Sequence, residues 1–563
     1  MHSSAGTAAT RRGREILRLG AAVALVAALG LLAHAADPAA ITVKIAEPDL
    51  TELLSGHLLL HADVEAGKRA VTVSFVVDGA EIANDREPPY EALWAKVDPL
   101  RDHLIRVTAV GADGTRAYDL YSVPILGPVE RISVTGRAPD FVLVNVTFLN
   151  GAGVPVVDVK KEEVEVLEDG KPQSIEVFAP DDRPMAVELL LDASGSTQPF
   201  WKDLGESAEL FAQTLRPSDR ATIVAFNNKF TELAPLGASA DALRAATEKF
   251  DGWGGSTRLY DALARGALFN LGLEDSRRRT LIVLTDAIDL LQSTLDGSDA
   301  DLYLRRSEVE THAVLLTPPG GFAALSAGVS SEVGWRRNLL QKIAQDSGGG
   351  SYDNATTPLP EIFLRIGERL RAQYLLGYTS ESGRKPGTER QIAVRLKRPG
   401  NFRAHVRASH FGGQTLIQYL AAETARGPER RRVLAVQTAA LTDDPVAMKA
   451  VVAALTQGKD TKAGVAREAR LALLDLGVKA IPWLKQGLES TEREVRPRAA
   501  EVIVDLLSRL AQKDDHAPFE AALVALGAGD AAAGRELVRG LNGLALPSEA
   551  QFRLEELIEG FPH

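Results

Sequence analysis

The chain has 563 residues, 45% hydrophobic and 25% charged, which excludes disorder over most of its length and, at roughly 150 residues per domain, points to three or four domains. A formal charge of −11 argues against binding to phosphate backbones, which needs a basic face, so no nucleic-acid partner is expected. The absence of cysteine excludes disulfides, cysteine nucleophiles, thiolate zinc sites, iron–sulfur clusters and a cysteine-borne lipid anchor.

Residues 1–36 read as a signal peptide. Arg11, Arg12, Arg14 and Arg18 form a positive head, an uncharged apolar run covers 19–33, and Ala33-His34-Ala35 fits a small-x-small cleavage site. The run is short for a span of about 20 residues. A periplasmic or secreted protein with no membrane span after cleavage is expected, the alternative being an uncleaved N-terminal anchor. Residues 37–128 read as a small β-sandwich: Val71, Val73, Phe75 and Val77 alternate, Asp78-Gly79 marks a hairpin, and Ile105, Val107 and Ala109 alternate again. The run Val73 to Gly79, then Pro88-Pro89-Tyr90 and Leu93-Trp94, resembles bacterial immunoglobulin-like modules. His57 and His61 have helical metal-pair spacing, but the intervening leucines indicate a strand, so they receive no metal role.

Residues 129–182 read as the first part of a second β-module, with Val142, Val144, Val146 and Phe148 alternating and Glu168-Asp169-Gly170-Lys171 forming a turn. This segment has too few strands to stand alone. Its expected partners are strands at 391–396 and 402–406, so residues 373–412 are read as the second part of the module. Between the two parts, over 183–372, apolar strands at 187–192, 222–226, 281–285 and 313–316 alternate with helices at 201–215, 241–250, 259–271 and 336–344. That alternation implies a doubly wound parallel sheet, Rossmann-like, with ligands binding outside the carboxyl ends of its strands. Residues 413–563 are Ala- and Leu-rich and helical. Val465, Ala469, Leu473 and Leu474 recur at a 30-residue offset as Val495, Ala499, Ile503 and Val504, which resembles short HEAT-type repeats.

The residues with the most chemistry lie at strand ends: Asp192-Ala193-Ser194-Gly195-Ser196, Gly254-Gly255-Ser256-Thr257 and Thr285-Asp286. Two carboxylates and three hydroxyls converging at one sheet edge form an all-oxygen cluster of the kind hard cations prefer. The carboxylates would repel each other without a cation. Taken alone, 192–196 could be an ordinary capped turn; the full set at three strand ends favours metal binding.

D-x-S-x-S, then a later Thr, then T-D after a buried strand, resembles the metal-ion-dependent adhesion site (MIDAS) of von Willebrand factor A domains. The flanking motifs Glu168-Asp169-Gly170-Lys171, Thr257-Arg258-Leu259-Tyr260-Asp261-Ala262 and Gln373-Tyr374-Leu375-Leu376-Gly377-Tyr378 resemble bacterial secreted proteins carrying that domain. The resemblance implies metal ligation by Asp192, Ser194, Ser196, Thr257 and Asp286, with the hydroxyls touching Mg2+ (or Mn2+) and the aspartates acting mainly through water. It further implies capture of an acidic side chain from a protein partner, in adhesion or scaffolding. Two features depart from the pattern: Ala287 stands where glycine often follows the second Asp, and 318–335 is a Pro/Gly/Ser/Ala-rich insertion. Asp289 and Ser293 could shape the rim or be solvated surface, Asp261 reads as a helix-surface or capping group, and Trp253 as a packed aromatic, the alternative being a rim contact to a partner. Position 194 is Ser where an aspartyl phosphatase needs D-x-D, and no G-x-S-x-G or phosphate loop occurs, so no catalytic residue and no enzyme activity are expected. The other two readings are a structural envelope protein whose metal is only a folding clip, and a metal-dependent hydrolase.

Overall fold

The computed structural model describes residues 41–46, 48, 57–67, 69–95, 97–98, 101–123, 140–269, 277–288, 293–318, 321–322, 327–380, 385–426, 428–442, 444–457, 464–512, 516–544 and 546–560. The expected signal peptide and Asp289 lie outside them. The chain forms two compact units, Met1–Glu130 and Arg131–His563. Among the described residues no helix is long and apolar enough to cross a membrane.

In the first unit a three-stranded sheet (Thr42–Ile45, His57–Glu65, Tyr90–Ala95) and a four-stranded sheet (Ala80–Asp85, Val71–Val77, His103–Gly111, Arg116–Val123) share one core. His57–Glu65 buries Leu58, Leu60 and Ala62. His57 and His61 therefore stand on the other face of an extended strand, where successive side chains alternate. Asp78 (φ 51°) and Gly79 (φ 83°) supply the left-handed backbone of the hairpin between Val71–Val77 and Ala80–Asp85.

In the second unit a β-module is built from both flanks of the central domain. Phe141–Leu149 pairs with Tyr374–Thr379 and Arg403–His405, and Val164–Glu168 pairs with Arg390–Leu396. Val144, Val146, Phe148, Leu376 and Tyr378 fill its core. Each flank presents alternating apolar residues that the short local strand Lys171–Gln173 does not cover, so strands more than 200 residues apart pair as well.

The central sheet has strands β1 (Met185–Asp192), β2 (Arg220–Phe226), β3 (Phe230–Ala234), β4 (Arg278–Thr285), β5 (Glu310–Leu315) and β6 (Ser351–Asp353), in the order β3-β2-β1-β4-β5-β6. All pairings are parallel except β2–β3. The helices are α1 (Trp201–Thr214), α2 (Ala240–Glu248), α3 (Leu259–Leu268), α4 (Gly297–Ser307), α5 (Ala327–Asp346) and α6 (Leu359–Arg371). Both faces of the strands are apolar because both are covered. Leu189, Leu191, Ile282 and Leu284 pack with residues of α1 and α6, while Leu190, Val224 and Val283 pack with those of α3 and α4.

The structure corrects several sequence expectations here. The helix expected at 336–344 is α5, which starts inside the segment read as an insertion. The helix α4 and the strands β3 and β6 were not anticipated. The helix expected at 259–271 ends at Leu268.

Beyond the β-module come α7 (Leu416–Ala425), α8 (Glu429–Ala439), α9 (Pro445–Ala454), α10 (Gly464–Leu476), α11 (Ile481–Leu488) and α12 (Val495–Ala511), then helices Ala517–Leu526, Ala531–Gly540 and Ser548–Glu559. The sequence echo falls on α10 and α12, and all four position pairs are buried. One apolar core runs from α3 and α4 (Ala267, Leu268, Ala300, Leu304) into the helical region (Leu416, Leu420, Leu434, Val436). The Arg306 guanidinium lies 3.9 Å from the Tyr419 ring centre, and Arg430 reaches Asp296 at 2.7 Å. The helical region is thus seated on one face of the central domain.

Candidate functional site

Strand β1 ends at Asp192, and the loop that follows turns sharply. The Thr197 hydroxyl donates to the carbonyls of Asp192 (2.6 Å) and Ser194 (2.9 Å), which closes the loop 192–197 on itself. Asp192 Oδ1 accepts the Ser194 N–H (3.0 Å), and Oδ2 accepts the Thr285 hydroxyl (2.6 Å) from the end of β4. The Ser194 and Ser196 hydroxyls are 3.1 Å apart. Asp286, next after Thr285, accepts the Ile288 N–H at Oδ1 (2.9 Å) and a hydrogen bond from the Ser196 side chain. Asp192, Ser194, Ser196 and Asp286 are therefore brought together.

Thr257 comes from a third loop. Gly254, at φ 103°, donates its N–H to the Ala193 carbonyl (3.1 Å), and Asn227 Nδ2 holds the Gly254 carbonyl (2.8 Å). These bonds tie the Thr257 loop beside 192–196, and Thr257 is buried. The arrangement is open on one side, because Ser196 is exposed while Asp192 and Asp286 are 1% and 0% exposed.

The electrostatics of this arrangement are unfavourable as they stand. Burial, then repulsion from Asp286, pushes the Asp192 carboxyl up to about 7. Burial also raises Asp286, against hydrogen bonds from Ser196 and Ile288. Arg337 is the positive charge that acts on Asp286, but it is bound to Asp353 at 2.6 Å. Asp286 Oδ2 is buried with no hydrogen-bond partner. Such an orphaned oxygen beside a second carboxylate and two hydroxyls fits a cation. Among the described residues no group of three or more His, Asp or Glu could hold a metal, so an ion here would depend on hydroxyls and water as well.

Ser293, named above as a rim candidate, and its neighbours Asp261 and Trp253 have structural work. Asp261 accepts the N–H groups of Thr294 (3.0 Å) and Leu295 (2.9 Å) and pairs with Arg258, pinning the 293–295 loop to α3. The Ser293 hydroxyl accepts the Tyr260 N–H at 3.0 Å. Trp253 packs edge-on against Trp201 and Phe250. Ala287 has φ 65° and is fully buried, which explains why glycine suits this position. The sequence reading overlooked Thr285, Thr197 and Asn227; Thr285 was visible as the residue before Asp286, but not its reach to β1.

Residues 187–288 match the family model of the von Willebrand factor type A domain, and the chain carries such a domain there. No curated protein matches the chain. Similar solved structures include an aerotolerance-related membrane protein from Bacteroides fragilis NCTC 9343, 13% identical, covering 33% of this chain and 98% of that one at a TM-score of 0.27. BatB from Bacteroides thetaiotaomicron is 15% identical over 33% of this chain and 99% of its own, TM-score 0.27. Proximal thread matrix protein 1 from the mussel byssus, with a zinc-occupied MIDAS motif, is 18% identical over 35% of this chain and 48% of its own, TM-score 0.28.

Proposed function

We propose that this is a metal-dependent protein-binding module of a periplasmic or secreted protein, serving adhesion or scaffolding, and not an enzyme. Asp192, Ser194, Ser196, Thr257 and Asp286 would hold Mg2+ or Mn2+. The bound ion would act as a Lewis acid, accepting an electron pair from a carboxylate oxygen of a protein partner. The carrying observation is the pair of buried carboxylates, one with an orphaned oxygen, beside an exposed Ser196. Two carboxylates balance a divalent ion, the remaining ligands are neutral hydroxyls and exchangeable water, and the exposed side lets an outside acidic group take a water's place.

The test is titration of the full chain with Mg2+, followed by metal-dependent capture of partners from an envelope fraction with and without chelator. At a concentration 100 times Kd the ion should add about 2.7 kcal/mol to stability. Asp192→Ala should abolish the response, and Thr257→Ala should reduce partner capture. A melting temperature and a capture profile that both ignore Mg2+ in the native protein would overturn the reading. Metal stabilisation with capture unaffected by Thr257→Ala would reduce the site to a folding clip.

A further inference from the structure

The opposite end of the central sheet carries the reverse charge. There, a cavity of about 230 Å3 lies between the N-terminal ends of β4 and β5 and the β-module. Five arginines line it, Arg183, Arg277, Arg278, Arg279 and Arg407, against two glutamates, Glu308 and Glu310. They come from three separate chain segments, so their donors enter from different directions. In a protein with a formal charge of −11 this is an unusual concentration of positive charge.

Most of these groups have partners, and the remainder is what matters. Arg183 bonds Asp181 at 2.7 Å, and Arg278 Nε shares the same carboxylate at 3.6 Å. Arg407 pairs with Glu308 at 2.6 Å. Glu310 is bound to Gln373 (2.6 Å) and His312 (3.2 Å). Arg279 donates to the Ser307 carbonyl. Burial pulls its guanidinium down to about 10, with Glu308 the single opposing charge. Arg278 is 6% exposed, yet its Nη2 has no hydrogen-bond partner, and neither does Arg407 Nε. Arg277 donates to the Ser218 carbonyl, and Asp219 also acts on Arg278; what remains are the two unpaired buried donors on Arg278 and Arg407, and such donors are costly.

We propose that this cavity binds a phosphate-class oxyanion, free or as a small monoester. Guanidiniums match such oxygens with short, charge-assisted hydrogen bonds. Donors converging from three directions suit a tetrahedral anion better than a flat carboxylate. The assignment is independent of any metal at the other sheet end.

The experiment is calorimetric titration of the full chain, in chelator, with inorganic phosphate and with glycerol phosphate. Sodium chloride and sodium acetate at matched ionic strength are the controls. Saturable binding of phosphate absent from both controls is expected. Binding of glycerol phosphate at least as tight identifies a monoester ligand, and its failure identifies the free ion. Arg277→Ala and Arg407→Gln should each weaken binding about ten-fold, with unchanged circular dichroism. Arg277 lies at the edge of β4, so its variant tests the site even if Arg407→Gln does not fold. Equal responses to phosphate and chloride, or native-like phosphate affinity in the folded variants, would overturn the proposal.

Discussion

Replacing Asp286 by Asn separates a charge effect from a folding effect at the carboxylate pair. Asp192 and Asp286 are both buried, and Asp192 is pushed up to about 7 from an ordinary 3.8, first by burial and next by Asp286. At about 1.4 kcal/mol per pKa unit, keeping Asp192 ionised above pH 7 costs about 4 kcal/mol, part of it repulsion from Asp286. Asp286→Asn removes that repulsion while keeping an oxygen for the Ile288 N–H. In chelator at pH 8 the variant should therefore be more stable than the native protein by about 1–2 kcal/mol. In Mg2+ at 100 times Kd the order should reverse: the native protein gains about 2.7 kcal/mol and the variant under about 0.5. Urea unfolding followed by tryptophan fluorescence, in both conditions, measures the four free energies. A variant less stable than native in chelator, together with a native protein unmoved by Mg2+, would refute the reasoning.

Glu188 on β1 gives a pH signature away from the metal candidates. Burial, with Glu232 adding, pushes it up to about 7 against the pull of Arg265; a raised carboxylate loses stability as pH rises from about 4.5 to about 7, here up to about 3 kcal/mol. Glu188→Gln should match the native protein at pH 4.5 and exceed it by up to about 3 kcal/mol at pH 8.5, and an identical difference at both pH values would count against this. At Ala287, Gly should change urea-measured stability by under about 1 kcal/mol, since relief of the left-handed backbone offsets a lost methyl. Val at the same position should cost about 3 kcal/mol, because a β-branched side chain tolerates neither that backbone nor the closed core. Calorimetry should show the central domain and helical region unfolding in one transition, since a single apolar core spans them; two well-separated transitions would contradict that packing.

Strand interiors were legible because burial on both faces leaves runs of apolar residues, and 187–192, 222–226 and 281–285 all fall within β1, β2 and β4. Strand beginnings were not: β2, β4 and β5 start with Arg220, Arg278 and Glu310, whose charges mask an extended run. The helix α4 escaped notice because only Ala300, Tyr303, Leu304 and two small residues are buried in a polar sequence. At the site, the D-x-S-x-S loop was readable as a loop carrying oxygens. Sequence could not show the cross-strand bond from Thr285 that orients Asp192, nor the Gly254 bond that carries Thr257 to its place. The seat of the helical region was equally hidden, since Ala- and Leu-rich helices advertise an apolar face without naming what covers it.

The two flanking motifs, 168–171 and 373–378, belong to architecture and not to the oxygen cluster. Asp169 (φ 48°) and Gly170 (φ 78°) form the tight turn between Val164–Glu168 and Lys171–Gln173. Glu168, buried, accepts hydrogen bonds from Tyr378 (2.9 Å), Ser380 (2.6 Å) and His410 (2.8 Å). His410 Nδ1 accepts the Gly412 N–H, so its Nε2 carries the proton and the ring is neutral, in line with a titration lowered by burial. Gln373 joins Arg278 at the start of β4 to Glu310 at the start of β5. The motifs thus fasten the β-module to the N-terminal edge of the sheet, next to the arginine cavity, while the carboxylates occupy the C-terminal edge. A parallel sheet places every strand start on one side and every strand end on the other, so charged residues at starts and at ends gather into two separate clusters of opposite sign without any motif linking them in sequence.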